Sequence, residues 1–285
     1  MANLRDIKGH IGSVQSIAKV TRAMEMVSAA KSHRLQARVE STRPFAEKSW
    51  EVLVHLTSAA GSCVQENPMF CGYSDVGSTG LVLMTSNRGM VGRYNHELVS
   101  LATRYLETYE REAEVIAIGR TGRDAMLRQG YHVHADFSHF SDSDDITALA
   151  PVTQVLLDGF EERHFDEVVL VYTEFHTALR VNPRLRQLLP LCPDVSASAR
   201  DYIYEPNPEE LLLALTPRLI RFQVYQALLE SLAAENAARR TAMHAASQNA
   251  SELIDDLTVS YNKARQQSIT TELLEVLGGS GALSK

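Results

Sequence analysis

Arg218-Leu-Ile-Arg-Phe-Gln-Val-Tyr-Gln-Ala-Leu-Leu-Glu230 opens a run of sixty residues, ending at Leu277, that contains neither glycine nor proline. Wound as one α-helix at 1.5 Å per residue, that run measures roughly 90 Å. A compact domain built from 285 residues has no room for such a rod, so the rod must protrude. Its inward positions recur at alternating gaps of four and three: Leu215, Leu219, Phe222, Gln226, Leu229, Ala233, Asn236, Arg240, Met243, Ser247, Ala250, Ile254, Leu257, Tyr261, Ala264 and Ser268. This is a coiled-coil register, and Gly278-Gly279 reads as its stop. Large residues occupy both ends of the seam, while Ala, Asn, Arg and Ser fill much of its middle. Such a seam requires a partner helix, and the other end of the chain supplies one. Ser13 to Arg43 holds no glycine or proline, and Leu4, Ile7, Ile11, Val14, Ile17, Val20, Met24 and Val27 form one helical stripe. Pro44 reads as a kink or restart, with Phe45 to Ala60 helical again. The two ends are therefore read as a long antiparallel coiled coil.

Between them the periodicity changes. Gly80 to Thr85 is a short apolar strand followed by the glycine-containing loop Ser86-Asn-Arg-Gly-Met-Val-Gly-Arg93 and a helix to about Glu112. Glu114 to Gly119, Tyr131 to Phe137 and Asp166 to Thr173 read as three further strands. Arg120 to Gln129 and Asp145 to His164 are the helices between them. Strands alternating with helices imply βαβ units and a small, mostly parallel α/β domain of Rossmann-like type. The chain thus divides into an N-terminal helix at 1–60, a linker at 61–79 marked by Gly61, Pro68 and Gly72, an α/β domain at 80–206, and a C-terminal helix at 207–285.

Charge is unevenly spread. The net charge of −7 averages a basic N-terminal segment 1–57 at +4, a middle 58–207 at −9 and a C-terminal segment 208–285 at −2. A basic arm carrying Lys19, Arg22, Lys31, Arg34 and Arg38 suits a partner with an acidic face, although such a face is by default simply solvated. The acidic balance excludes a general nucleic-acid coat. No apolar stretch reaches the length of a membrane span, and no secretory or transit leader is read at the start, so a cytoplasmic location is expected. Cys63, Cys71 and Cys192 are too few, and odd in number, for a disulfide framework.

Motifs that would carry chemistry are incomplete. Gly89 and Gly92 lack the Gly-Lys-Ser/Thr of a P-loop, and Gly119-Arg-Thr-Gly122 is two glycines before a helix, better read as a tight turn than as a phosphate site. His132, His134 and His139 with Asp136 match no zinc spacing and read as exposed polar alternation. Asp142, Asp144 and Asp145 lack the glycine and distal glutamate of a calcium loop. Asn249-Ala-Ser251 fits a glycosylation sequon but falls mid-helix. Cys63 and Cys71 read as two unpaired thiols of one loop. No nucleophile with an orienting base is apparent. A rod beyond a globular base is suited to reaching into something and ill suited to enclosing a substrate.

Five segments then carry a resemblance: Leu4 to Lys8, Ile17-Ala-Lys-Val-Thr-Arg-Ala-Met-Glu-Met-Val-Ser-Ala-Ala-Lys31, Asn249 to Thr258, Tyr261-Asn-Lys-Ala-Arg-Gln-Gln-Ser-Ile-Thr-Thr-Glu272, and Gly278 to Leu283. Together with Ile118 to Asp124, Glu167 to Phe175, Gln187 to Pro190 and Tyr204 to Pro206 in the body, they resemble the gamma subunit of bacterial F-type ATP synthases over the whole chain. The resemblance implies a rotor shaft turned by proton flow, whose asymmetry drives the catalytic sites of the beta subunits in turn. This chain would then hold no catalytic residue, cofactor or metal. The implied partners are the alpha and beta subunits, the epsilon subunit, the c-subunit ring, and the delta subunit only as a member of the same complex, with no nucleic acid. The implied place is the cytoplasmic face of the bacterial membrane, peripherally, through the c ring. The implied contacts are Met24 with the beta subunit's acidic lever loop; Arg265, Gln266 and Thr270 with a beta-subunit catch loop; Tyr204, Glu205 and Glu209 with the c ring; and Arg88 and Arg93 of the glycine loop.

The chain departs from the family pattern in one loop. Thr85-Ser-Asn-Arg-Gly-Met-Val-Gly-Arg93 stands where the family usually has Thr-Ser-Asp-Arg-Gly-Leu-Cys-Gly-Gly, so Asn87 loses a charge and Arg93 replaces a glycine that takes positive φ freely. The regulatory dithiol insert of chloroplast members is absent, so redox control is not inherited. Two other classes make different predictions. A nucleotide-binding α/β enzyme with helical arms binds ATP or NAD directly. A free-standing coiled-coil adaptor associates without alpha and beta subunits and shows a steep salt slope with DNA.

Overall fold

The computed structural model describes residues 4–61, 64, 67–109, 112–138, 145–177, 180–191 and 202–283; Cys63, Cys192, His139, Asp142 and Asp144 lie outside them. The order is α1 (Leu4–Ala60), α2 (Pro68–Cys71), β1 (Ser78–Met84), α3 (Tyr94–Tyr109), β2 (Glu112–Ile118), α4 (Arg120–Arg128), β3 (His132–Asp136), a 3-10 turn (Thr147–Leu149), α5 (Ala150–Glu161), β4 (Glu167–Thr177), β5 (Arg180–Leu189) and α6 (Pro208–Leu283). Two compact units result. One comprises α1 up to Ser28 with α6 from Arg240, and the other spans Ala29–Arg239.

The second unit holds a five-stranded sheet in the order β3-β2-β1-β4-β5, with β1 to β4 parallel and β5 antiparallel to β4. Leu81 to Met84, Val115 to Ile118 and Val168 to Val171 are fully buried, which explains their unbroken apolar runs: a parallel sheet is covered on both faces. At the β3 edge His132 to Asp136 alternates exposed with half-buried, so its polar residues face water. Strand β5 escapes the sequence reading because Pro183, Arg184 and Arg186 interrupt its pattern. As the opposite edge strand it tolerates a proline that a central strand would not. The chain approaches itself closely at two glycines. A Cβ on Gly159 would sit 2.3 Å from Phe165 Cε2, and one on Gly119 would sit 2.1 Å from the Thr85 carbonyl oxygen.

Helix α6 begins ahead of Pro217, with Asn207 as its N-cap. Asn207 Oδ1 accepts from the Glu210 backbone N–H, and Asn207 Nδ2 donates to Glu210 Oε1, both at 2.8 Å. From Gln223 to Ala237 every residue is buried, so this stretch is covered all round rather than along one stripe. In this unit α1 runs antiparallel to it. Phe45 packs edge-on against Phe222 at 4.5 Å, and Thr42 Oγ1 donates to Gln226 Oε1 at 2.7 Å, so the number on one helix falls as the other rises. Pro44 does not interrupt α1. The expected stop at Gly278-Gly279 is corrected: α6 continues through both glycines to Leu283, since glycine costs a helix about 1 kcal/mol but does not by itself end it.

In the first unit the α6 half of the expected seam is inward from Met243 on, with Met243 and Ala250 buried and Ser247, Ile254, Leu257, Tyr261, Ala264 and Ser268 half-buried, whereas Arg240, also read as a seam position, is exposed. On α1 the expected stripe is corrected. Beyond Val14 the covered seam positions are Ala18, Thr21, Glu25 and Ser28, with Met24 of the expected stripe half-buried beside them, while Ile17, Val20 and Val27 are 56%, 58% and 57% exposed. Two successive gaps of three carried the apolar stripe off the seam, which keeps the alternating four and three of a 3.5-residue repeat. Glu25 Oε1 meets His244 Nδ1 at 2.9 Å across this pair of helices.

Candidate functional site

In the first unit, α1 places Met24 half-buried at the level where Glu25 meets His244. Arg265, Gln266 and Thr270 lie on α6 about 30–40 Å farther along, counted at 1.5 Å per residue, and all three are exposed. Thr270 Oγ1 donates back to the Gln266 carbonyl oxygen at 2.9 Å, so its hydroxyl can meet a neighbour only as an acceptor. Leu273 and Leu274 are exposed beyond them. Ile17, Val20, Met24 and Val27 share one face of α1, with the first, second and fourth projecting from the helix pair. The same spacing continues in sequence as Lys31, Arg34 and Arg38, all exposed. The outward apolar strip of Ile17, Val20 and Val27 is the feature that the sequence reading assigned to the seam. The signal was present, as apolar residues at gaps that leave the heptad.

In the second unit, Tyr204 is half-buried ahead of α6, with Glu205 and Glu209 exposed. Its hydroxyl donates to the His55 carbonyl oxygen at 3.5 Å, and its ring lies 6.2 Å from that of Tyr202. Ile203 beside them is almost fully exposed. The expected contacts are thus divided between the two units, Met24, Arg265, Gln266 and Thr270 in the first and Tyr204, Glu205 and Glu209 in the second.

The loop after β1 is held from inside. Ser86 N–H donates to Asn95 Oδ1 at 3.0 Å, and Ser86 Oγ donates to the Arg88 carbonyl oxygen at 2.7 Å. Asn87 Oδ1 accepts from the Arg120 N–H at 3.1 Å, while its amide donates to the Ser138 carbonyl oxygen at 2.7 Å. A carboxylate at position 87 could not make that second bond, which gives the asparagine a structural role. Positive φ falls on Met90 (62°) and Gly92 (59°), so Arg93 adopts no conformation that calls for glycine. Val91 is buried beneath, and the Arg93 side chain is 85% exposed with Glu97 Oε1 3.4 Å from its Nε. Arg88 is exposed.

The remaining motifs are explained by packing and pairing. Gly119 and Gly122 close around Thr85, whose hydroxyl accepts from the Gly122 N–H at 2.8 Å. His134 Nδ1 lies 2.6 Å from Glu114 Oε2, and Asp136 pairs with Arg123 at 2.6 Å and accepts from Ser138. Among the described residues no group of three His, Cys, Asp or Glu is placed to hold a metal ion. Asp145 accepts from Thr147 N–H and hydroxyl, bonds that hold its carboxyl below the usual aspartate value. Cys71 is an exposed thiol, and Asn249 is exposed within α6. A cavity of about 490 Å³ near the start of β4 is lined by Tyr73, Tyr105, Tyr109, Asp166 and Glu167. Its polar groups are engaged with each other and with backbone: Tyr105 donates to Glu167 at 3.1 Å, and Asp166 accepts from Gly77 and Ser78. No described helix is long and apolar enough to cross a membrane.

Comparison with known proteins gives one consistent answer. Residues 3–283 match the family described as ATP synthase. The ATP synthase gamma chain of Moorella thermoacetica is 40% identical over 284 residues, covering 99% of this chain and all of that one. That of Chloroflexus aurantiacus is 38% identical over 289 residues, with both chains fully covered. A chain in the central stalk and c-ring structure of the Tetrahymena thermophila mitochondrial ATP synthase is 26% identical, with a TM-score of 0.60 over 80% of this chain and 99% of that one. A chain of the Euglena gracilis mitochondrial enzyme shares the fold at 18% identity, with a TM-score of 0.67 over 98% and 94%. The chain belongs to the ATP synthase gamma chain family.

Proposed function

We propose that this chain is the central rotor shaft of a bacterial F-type ATP synthase, coupling proton flow through the membrane sector to ATP synthesis in the alpha/beta hexamer by rotation. The observation that carries the reading is the first unit, in which α1 and α6 satisfy each other along one seam yet leave Ile17, Val20 and Val27 projecting outward. Exposed apolar strips of this kind mark binding surfaces. In this reading residues 1–60 and 207–285 form the shaft, 61–79 link it to the 80–206 body, and catalysis belongs to the beta subunits. A rotor acts on its surroundings only by contacting their conformations differently, so an asymmetric helix pair is the working surface.

The partners follow from the same reading. Met24 faces the beta subunits' acidic lever, and Arg265, Gln266 and Thr270 face their catch loop. Tyr204, Glu205 and Glu209 meet the c ring beside the epsilon subunit, with the delta subunit elsewhere in the complex. The chain sits peripherally at the cytoplasmic face of the membrane. Arg88 and Arg93 add positive charge toward the acidic lever, which salt screens. An Arg93→Gly variant should make ATP hydrolysis less sensitive to ionic strength, and an unchanged salt profile removes that contact from the scheme.

The deciding experiment is reconstitution with alpha and beta subunits from the same source. One copy per three alpha/beta pairs, with ATP hydrolysis appearing on addition, supports the rotor. A chain that stays free while hydrolysis is unchanged refutes it.

A further inference from the structure

Strand β4 is longer than the neighbour that covers it. Strand β1 pairs with Glu167 to Val171 and no farther, whereas β5 accompanies β4 to Thr177. From Tyr172 onward one side of β4 therefore lacks a strand, in a region where Thr173 and Phe175 are buried. Unpaired backbone groups there would each cost about 1–3 kcal/mol. Side chains of the two long helices satisfy them. Thr173 N–H donates to Ser231 Oγ at 3.2 Å, and Phe175 N–H donates to Glu230 Oε2 at 3.4 Å. Arg43 Nη2 donates to the Phe175 carbonyl oxygen at 2.9 Å and lies 3.9 Å from Glu230 Oε1. A carboxylate receiving the N–H and a guanidinium supplying the carbonyl reproduce, at Phe175, the paired bonds of an adjacent strand.

The arrangement is braced on the helix side. Gln226 Nε2 donates to Glu230 Oε1 at 3.0 Å and is itself fixed by Thr42, while the Tyr94 hydroxyl donates to the Ser231 carbonyl oxygen at 3.2 Å. Burial alone does not require any of this, because a leucine at position 230 would pack without the cost of a desolvated carboxylate. Apolar packing is non-directional, so a helix held by it alone can roll. Hydrogen bonds weaken steeply when misaligned. Glu230 and Ser231 project about 100° apart around α6, at 3.6 residues per turn, and hold N–H groups two residues apart on β4. Rolling α6 one way lengthens the Ser231 bond, and rolling it the other way lengthens the Glu230 bond.

We propose that Glu230, Ser231 and Arg43 stand in for the missing strand at the free edge of β4, as positioning residues that fix the rotational setting of α6 against the α/β body. Torque applied to the body passes to the shaft helix through this clamp. The inference rests on the rotor reading and adds to it a site of mechanical coupling that no catalytic or partner contact supplies.

The test uses the complete complex in vesicles, with wild type, Ser231→Ala, Glu230→Ala and Glu230→Gln. Amide exchange should accelerate roughly tenfold at Thr173 in Ser231→Ala and at Phe175 in Glu230→Ala, with Val169 and Val171 unchanged. Hydrolysis by the soluble alpha–beta–gamma assembly, where the body turns without load, should stay at the wild-type rate. Protons pumped per ATP hydrolysed should fall in the two alanine variants. Glu230→Gln, which keeps an oxygen for the Phe175 N–H, should recover much of that coupling. Parallel loss of hydrolysis and pumping, or undiminished coupling despite faster exchange, overturns the clamp. A wild-type chain that supports no coupled pumping overturns the rotor reading instead.

Discussion

Replacing Ile17, Val20 and Val27 together by threonine separates a surface made for partners from one made for the chain itself. All three positions are more than half exposed, so the isolated chain gains little from their apolar character. Threonine keeps the β-branch, and its helix propensity is close to that of valine and isoleucine, so α1 itself is barely disturbed. Full burial of a valine or isoleucine contributes about 1.5–3 kcal/mol. With slightly over half of each residue still to be covered, a partner gains about 1 kcal/mol per position. The three positions therefore contribute about 3 kcal/mol, or roughly 100-fold in affinity. Thermal melting of the isolated variant should match wild type, while titration into the alpha–beta assembly should show affinity weakened by that factor. Unaltered assembly would refute the docking role of this face. A markedly lowered melting temperature would show that these residues are buried within the chain, contrary to the structure.

Gly119→Ala should destabilise the second unit by about 2–5 kcal/mol, combining backbone strain at φ 119° with a Cβ driven into the Thr85 carbonyl. Thr85 cannot give way, since its N–H donates to Ile118 at 2.8 Å; urea unfolding of the variant within 1 kcal/mol of wild type would contradict this. Asp166 is pushed up by burial, but donors from Gly77, Ser78 and the nearby Arg163 outweigh that and hold its carboxyl below the ordinary 3.8. Its contribution is complete above that unfolded value and lost as pH falls through the lower folded one. Asp166→Asn should cost roughly 1–3 kcal/mol at neutral pH and flatten the acid limb of the stability curve; an unchanged acid limb counts against it.

The long helices were legible because composition over sixty residues leaves few alternatives, and the α6 seam beyond Met243 follows the heptad read from it. The α1 seam was not, because small and polar residues line it: Ala18, Thr21, Glu25 and Ser28 face inward while the larger side chains face out. A reading that equates apolar with inward fails where another molecule covers the outside. Strand β5 was hidden by an edge proline. In the glycine loop positive φ sits on Met90 and Gly92 and not on Arg93, and dihedrals are not written in composition. The polar clamp on β4 could not be read at all, because it joins Arg43, Phe175 and Glu230 across the whole chain.

Chain order gives the first helix a waiting time during synthesis. Helix α1 ends at Ala60, and the helix that completes its seam begins only at Pro208. At about 5–20 residues per second a ribosome needs roughly 7–30 s to make the intervening segment. For that interval the nascent α1 exposes both its seam and its outward apolar strip, with no partner helix in existence. The small, polar character of Thr21, Ser28 and Ser32 limits what the seam can offer to passing chains. A seam too weak to capture the wrong partner early is also one that closes only when α6 arrives.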